Sequence, residues 1–143
     1  MIRRMNFEDV DSIVDIWFEA SVKAHRFMSR EFWEEKRAAM HDIYIPNSET
    51  WVVEERGRVV GFYSFVDETL AAIFVQPECQ GQGLGERLLK HAKSRRNRIE
   101  LSVYVENEPS YRFYCKHGFV LVREQLDENT GHSEYLMEWR AQG

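Results

Sequence analysis

The chain has 143 residues, of which 43% are hydrophobic and 13% aromatic. That is enough to bury about two-thirds of the extended surface in one core, and a single domain over residues 1–143 is expected. Nineteen Lys and Arg against 24 Asp and Glu leave a formal net charge of −5, which argues against nucleic acid as a partner, because phosphate backbones need a basic face. No stretch approaches the ~18 apolar residues of a membrane span. The start, Met1-Ile2-Arg3-Arg4-Met5-Asn6, runs into Glu8, Asp9 and Asp11 with no apolar segment between. No membrane partner and no secretory leader are therefore expected, and a cytoplasmic location is the default expectation. Cys79 and Cys115 show neither ligand spacing nor a disulfide framework. No metal site is expected, since the histidines and carboxylates form no cluster of recognisable spacing.

In chain order, Ile2 to Met5 reads as a short strand. Asn6 followed by Asp9 reads as a capping box. Phe7, Val10, Val14 and Trp17 then recur at helical spacing, flanked by Ile13, Ile16 and Ala20. Ser29 is placed to cap a second helix, in which Trp33, Met40 and Tyr44 align and which Pro46 ends. Beyond Thr50 the period changes from helical to alternating. Trp51 to Glu54 and Val59 to Val66 read as strands joined by an Arg56-Gly57 hairpin turn. Leu70 to Val75 is a continuous apolar run suited to a central strand. After it comes Gln76-Pro77-Glu78-Cys79-Gln80-Gly81-Gln82-Gly83-Leu84-Gly85, opening onto a helix with Leu84, Leu88, Leu89 and Ala92 on its apolar side. Ile99, Leu101, Val103 and Val105 alternate as a further strand. Glu108 to His117 reads as a short helix with Gly118 past its end. Phe119 to Val122 and Tyr135 to Trp139 are the last strands, joined by a turn at Asp127 to Gly131. The sum is a mixed α/β fold.

A glycine turn between a strand and a helix presents free backbone N–H groups to an anion, and the helix dipole favours negative charge there. The ligand is thus expected to carry phosphate. A P-loop is excluded, since Gly83 is followed by Leu84 and Gly85 by Glu86. The dinucleotide fingerprint fails too, its last glycine falling on Glu86 or Leu88. Gln80, Gly83 and Gly85 instead fill the pattern Gln/Arg-x-x-Gly-x-Gly/Ala. A second motif, Asn107 seven residues before Tyr114 with Gly118-Phe119 following, lies downstream.

On these two motifs and the order of elements, the sequence resembles the GNAT superfamily of acetyl-CoA-dependent N-acetyltransferases. The likeness extends over nearly the whole chain. The segment Ala24-His25-Arg26-Phe27-Met28, with Trp51-Val52 later, resembles a branch of small bacterial members that includes protein-lysine acetyltransferases. The resemblance implies a mostly antiparallel sheet of six to seven strands with about four helices on its two faces. It implies acetyl-CoA as cosubstrate, without a metal. Ile73, Phe74 and Val75 are then expected to hold the pantetheine arm and the acetyl carbonyl. Gly81, Gln82, Gly83, Leu84, Gly85 and Glu86 are expected around the pyrophosphate, Asn107 on the cofactor arm, and Tyr114 near the thioester sulfur as the acid.

Amide formation from a thioester needs a neutral amine, a stabilised oxyanion and a protonated thiolate. A lysine-like amine, with a pKa near 10.4, is only about 0.04% neutral at pH 7, so a proton must be removed. Some members carry a glutamate for this five residues before the asparagine, where this chain has Ser102. Glu100, at the same strand parity, and His25, which titrates near neutrality, are the remaining candidates for the base or an acceptor contact. Each also has a plain reading, as a solvated strand carboxylate and a structural imidazole. Lys90, Lys93, Arg95, Arg96 and Arg98 read as a solvated helix end, with contact to the 3′-phosphate of the cofactor as the functional alternative. The acceptor is expected to be a protein or peptide lysine. A polyamine or antibiotic amine, or a non-catalytic acyl-CoA sensor, are the other readings, and the chain is expected to be a monomer or a homodimer.

Overall fold

The computed structural model describes residues 1–142. Strand β1 (Ile2–Arg4) leads through a 3-10 turn at Phe7–Asp9 into α1 (Val10–Ala24). Next come α2 (Arg30–Glu34), α3 (Arg37–Ala39) and a π turn at Met40–Tyr44, which together make one interrupted helical segment. Then follow β2 (Glu49–Glu55), β3 (Arg58–Val66), β4 (Thr69–Val75), α4 (Leu84–Arg95), β5 (Arg98–Tyr104), α5 (Glu108–Lys116), β6 (Val120–Leu126) and β7 (Ser133–Arg140). The seven strands form one sheet in the order β1-β2-β3-β4-β5-β7-β6. All pairs are antiparallel except β4 with β5.

Two apolar layers cover the sheet. On one face Ile13, Ile16, Trp17 and Phe18 of α1 pack with Trp33 and Ile45 on Val52 and Phe62. On the other, Leu84, Leu88, Leu89 and Ala92 of α4 pack on Val53, Tyr63, Ile99, Leu101 and Met137, with Tyr111, Phe113 and Tyr114 of α5 beside them. The capping box forms as expected: the Asn6 side chain accepts from Glu8 N, and Asp9 Oδ2 accepts from Asn6 N at 2.8 Å. Asp9 also takes Arg3 at 2.8 Å, and Arg3 reaches Glu54 at 2.7 Å. One guanidinium thereby fastens β1, the start of α1 and β2, and it holds the Asp9 carboxyl below its usual range.

Three expectations are corrected. The second helix is not continuous. At the π turn Ile45 N bonds Met40 O, five residues back, and that extra residue turns the phase of the apolar face. Ile45 therefore enters the core at 1% exposure while Tyr44, expected inside, is 60% exposed. Phe7 lies in the 3-10 turn and points away from the sheet, at 83% exposure. The last two strands are longer than their hydrophobic pattern suggested, because β6 continues through the polar Arg123-Glu124-Gln125. It is an edge strand paired only with β7, and charges are tolerated on such an edge.

Candidate active site

The site begins with a defect in the sheet. Ser64 pairs with Ala72 but Phe65 with Leu70, so Ala71 is an extra residue in β4. A bulge bends its strand and ends regular pairing. Accordingly β4 meets β5 only at Thr69 opposite Glu100, helped by Glu100 N on Glu68 O at 3.0 Å, and the strands part beyond it. Gln76 N donates to Val60 O at 2.7 Å. Alternation along an antiparallel ladder then turns the N–H groups of Ile73 and Val75 away from β3, toward the gap. The gap widens into an open cleft of about 900 Å³ that reaches from the end of α1 to the start of α4 and to α5.

At one end of the cleft lies the glycine loop. Gly81 and Gly83 both have φ of +81°, the left-handed region that glycine reaches at little cost. A Cβ at either would meet nothing within 4 Å, so a ligand can come directly against the backbone. Gly83 is the N-cap of α4 and offers no side-chain cap; the first bond back into the loop is Arg87 N to Gly83 O at 3.1 Å. Among the described residues, the amides of 81–86 have no protein acceptor. This is a row of free donors at the positive end of a twelve-residue helix, and it fits a diphosphate. Gln80 anchors the loop: its Nε2 donates to Val75 O at 3.1 Å and its Oε1 accepts from Lys23 Nζ at 2.8 Å.

Helix α5 supplies the facing wall. Asn107 is buried and caps it, its Oδ1 accepting from Ser110 N at 3.4 Å. Two turns on, Tyr114 packs on Phe113 and Phe119 with ring centroids 5.5 and 5.7 Å away. Its hydroxyl has no hydrogen-bond partner among the described residues. Burial pushes its pKa up, so at neutral pH it is a proton donor.

The third wall is the end of α1. His25 is its C-cap, 7% exposed, with ring centroids 5.2 Å from Trp33, 5.2 Å from Tyr104 and 5.6 Å from Phe27. Its Nε2 lies 3.2 Å from Asn107 Nδ2. Burial pushes its pKa down to about 4, the Ser21 carbonyl opposing only in part, so the ring is neutral at pH 7. Among the described residues, the buried side-chain atoms without a partner, namely His25 Nδ1, Ser21 Oγ and Trp33 Nε1, all belong to residues lining this cleft.

Ile73, Phe74, Val75, Gly81, Gly83, Leu84, Gly85, Glu86, Asn107, Tyr114 and His25 thus meet at one cleft. Gln82 is an exposed member of the same loop and is not among the lining residues. Glu100 is not brought in: it sits where β4 and β5 still touch, its carboxylate 2.8 Å from Arg98. Four members of the basic run are tied up elsewhere, Arg95 and Arg96 on Glu49, Arg98 on Glu100 and Glu138, Lys93 on the His117 carbonyl, while Lys90 is exposed and does not line the cleft. Lys116 lines the cleft instead. A carboxylate that the sequence reading missed is Glu134. It pairs with Tyr104 across β5 and β7 and lines the cleft on the α1 side. Only the β7 register could have revealed it, and that register lies beyond the expected strand start at Tyr135.

A family model described as an acetyltransferase (GNAT) domain matches residues 46–121. The chain is 31% identical to the peptidyl-lysine N-acetyltransferase YiaC of Escherichia coli (strain K12), over 97% of this chain and 96% of that one. It is 33% identical to the peptidyl-lysine N-acetyltransferase YjaB of the same organism, over 89% and 87%. The solution structure of apo-form YjaB superposes with a TM-score of 0.86, covering 99% of this chain and 98% of that one at 28% identity. A PaiA N-acetyltransferase from Thermoplasma acidophilum, solved in complex with coenzyme A, shares the fold at 19% identity with a TM-score of 0.81, covering 98% of each chain. A split parallel pair, a glycine loop of unpaired amides and a phenol on the opposite helix are thus joined by kinship over almost the full length, and the chain belongs to the GNAT family of acetyl-CoA-dependent N-acetyltransferases.

Proposed function

We propose that residues 1–143 form one cytoplasmic acetyltransferase domain that moves acetyl from acetyl-CoA to the ε-amine of a peptide or protein lysine. The lysine reading rests on the relatives named for that substrate at 31% and 33% identity. The cleft supports it physically. Its amine-side wall holds Trp33, His25 and Tyr104, which suit an alkyl chain, and Glu134 stands on the same side to attract an ammonium.

In this reading the amides of 81–86 hold the diphosphate, and Asn107 holds the pantetheine arm. The N–H of Val75 meets the carbonyl oxygen as it gains charge. The neutral lysine nitrogen attacks the thioester carbon, so a C–N bond forms, the C–S bond breaks, and the ammonium proton leaves through water. Tyr114 donates its proton to the departing thiolate, whose conjugate thiol has a pKa near 8.5, and the proton shed by the nitrogen returns through water to the phenolate, so that amine and thioester become amide and thiol with Tyr114 restored. Tyr114 and Asn107 at the cleft favour an enzyme over a sensor that only binds acyl-CoA. The observation that carries the reading is the row of unpaired amides from 81 to 86 beside the split strands.

The test is free-thiol release from acetyl-CoA with three acceptors: a capped lysine peptide, a peptide with a free α-amine and no lysine, and spermidine. The lysine peptide is expected to give the highest kcat/KM by at least tenfold. Preference for spermidine would overturn the lysine assignment, and binding without thiol release on any amine would favour a sensor.

A further inference from the structure

The imidazole of His25 and the amide of Asn107 lie 82 residues apart in sequence, yet both are buried and 3.2 Å from one another. We propose that His25 is a positioning residue for the cofactor: its Nε2 fixes the Asn107 amide in the one orientation that presents an Nδ2 hydrogen to the pantetheine arm. This rests on the reading, given above, that Asn107 holds that arm.

The orientation follows from donor and acceptor accounting. Asn107 Oδ1 faces the Ser110 N–H, which can only donate. Turning the amide over would set Nδ2 against that N–H, donor against donor. With Oδ1 committed, Nδ2 faces Nε2, which must be the unprotonated ring nitrogen. Nδ2 has two hydrogens; His25 takes one, and the second is left for a ligand in the cleft that both residues line. The ring itself cannot swing away. Its backbone N bonds Ser21 O at 2.9 Å, and Phe27, Trp33 and Tyr104 enclose it at centroid distances of 5.2 to 5.6 Å. Because its Nε2 lone pair is engaged by Asn107, His25 is not placed to accept the amine's proton at that nitrogen.

Calorimetry with coenzyme A and steady-state kinetics on folded variants test this. His25→Phe fills the space without an acceptor and is expected to weaken coenzyme A binding about tenfold. His25→Gln restores an acceptor oxygen and is expected to recover most of the affinity, which a purely space-filling role would not do. In an Asn107→Ala background, His25→Phe is expected to weaken binding by less than twofold further. In the unmodified protein, one Asn107 Nδ2 proton is expected to exchange with solvent more slowly than the other, a readout independent of any variant's folding. The proposal is overturned if Asn107→Ala weakens binding while His25→Phe does not. It is equally overturned if His25→Phe lowers kcat and removes the acid limb of its pH profile with affinity intact, the mark of a base. If Asn107→Ala itself binds coenzyme A as tightly as the unmodified protein, the cofactor-arm reading fails and this proposal fails with it.

Discussion

Tyr114 has an unpaired hydroxyl, a pKa raised by burial and a place on the wall facing β4. We propose that this phenol, protonated at neutral pH, donates to the leaving thiolate and contributes little to holding the cofactor. Tyr114→Phe is therefore expected to lower kcat by about 10²-fold with coenzyme A affinity unchanged; full turnover on a lysine peptide would remove Tyr114 from the mechanism. His25 makes a second prediction, about stability. Its folded pKa of about 4 lies below the unfolded value near 6.5. Above pH 6.5 both states hold a neutral ring. Between 6.5 and 4 only the unfolded chain gains a proton, so unfolding becomes easier by up to about 1.4 kcal/mol per pH unit. Urea titrations at pH 7 and pH 5 are expected to show about 2 kcal/mol more loss in the unmodified protein than in His25→Phe, and equal losses would contradict the buried neutral ring. Tyr114 and Asn107 were legible from the sequence because their spacing is local, set by one helix. The His25–Asn107 pair was not, since only the packing of α1 against the start of α5 brings them together. Glu100 shows the converse: strand parity placed it on a plausible face, but parity does not say how far along β5 the strands separate.

At the scale of elements, the bulge at Ala71 and the glycine loop do the work of opening the sheet and lining the opening with donors. Gly83→Ala places a side chain at φ +81° in open space, so its effect is backbone strain rather than a clash. A loss of about 1–2 kcal/mol in stability is expected, and coenzyme A affinity should fall as the loop shifts. A variant as stable and as tight-binding as the parent would show that the left-handed turn is not needed. The loop and the order of elements were readable because glycine punctuation and period changes are strong local signals. The bulge was not, since Leu70 to Val75 is apolar throughout and no alternation marks a skipped residue. The π turn escaped for a similar reason: Ile43, Tyr44 and Ile45 are all apolar, and only the fold selects which one is buried.

Two apolar layers clamp a sheet whose centre is unpaired, and we propose that cofactor and amine meet in the cleft between β4 and β5. The sheet order joins elements distant in sequence, with β7 inserted beside β5, and so brings Glu134 and Tyr104 side by side at the cleft. We propose that the amides of residues 81–86 grip the diphosphate of coenzyme A, and calorimetry comparing coenzyme A with pantetheine, which lacks the diphosphate and nucleotide, is the test. Binding of coenzyme A at least 100-fold tighter, with Gly83→Ala eroding that advantage and leaving pantetheine unaffected, is the expected result. Equal affinity for the two ligands, or no heat with coenzyme A from folded protein, would contradict it.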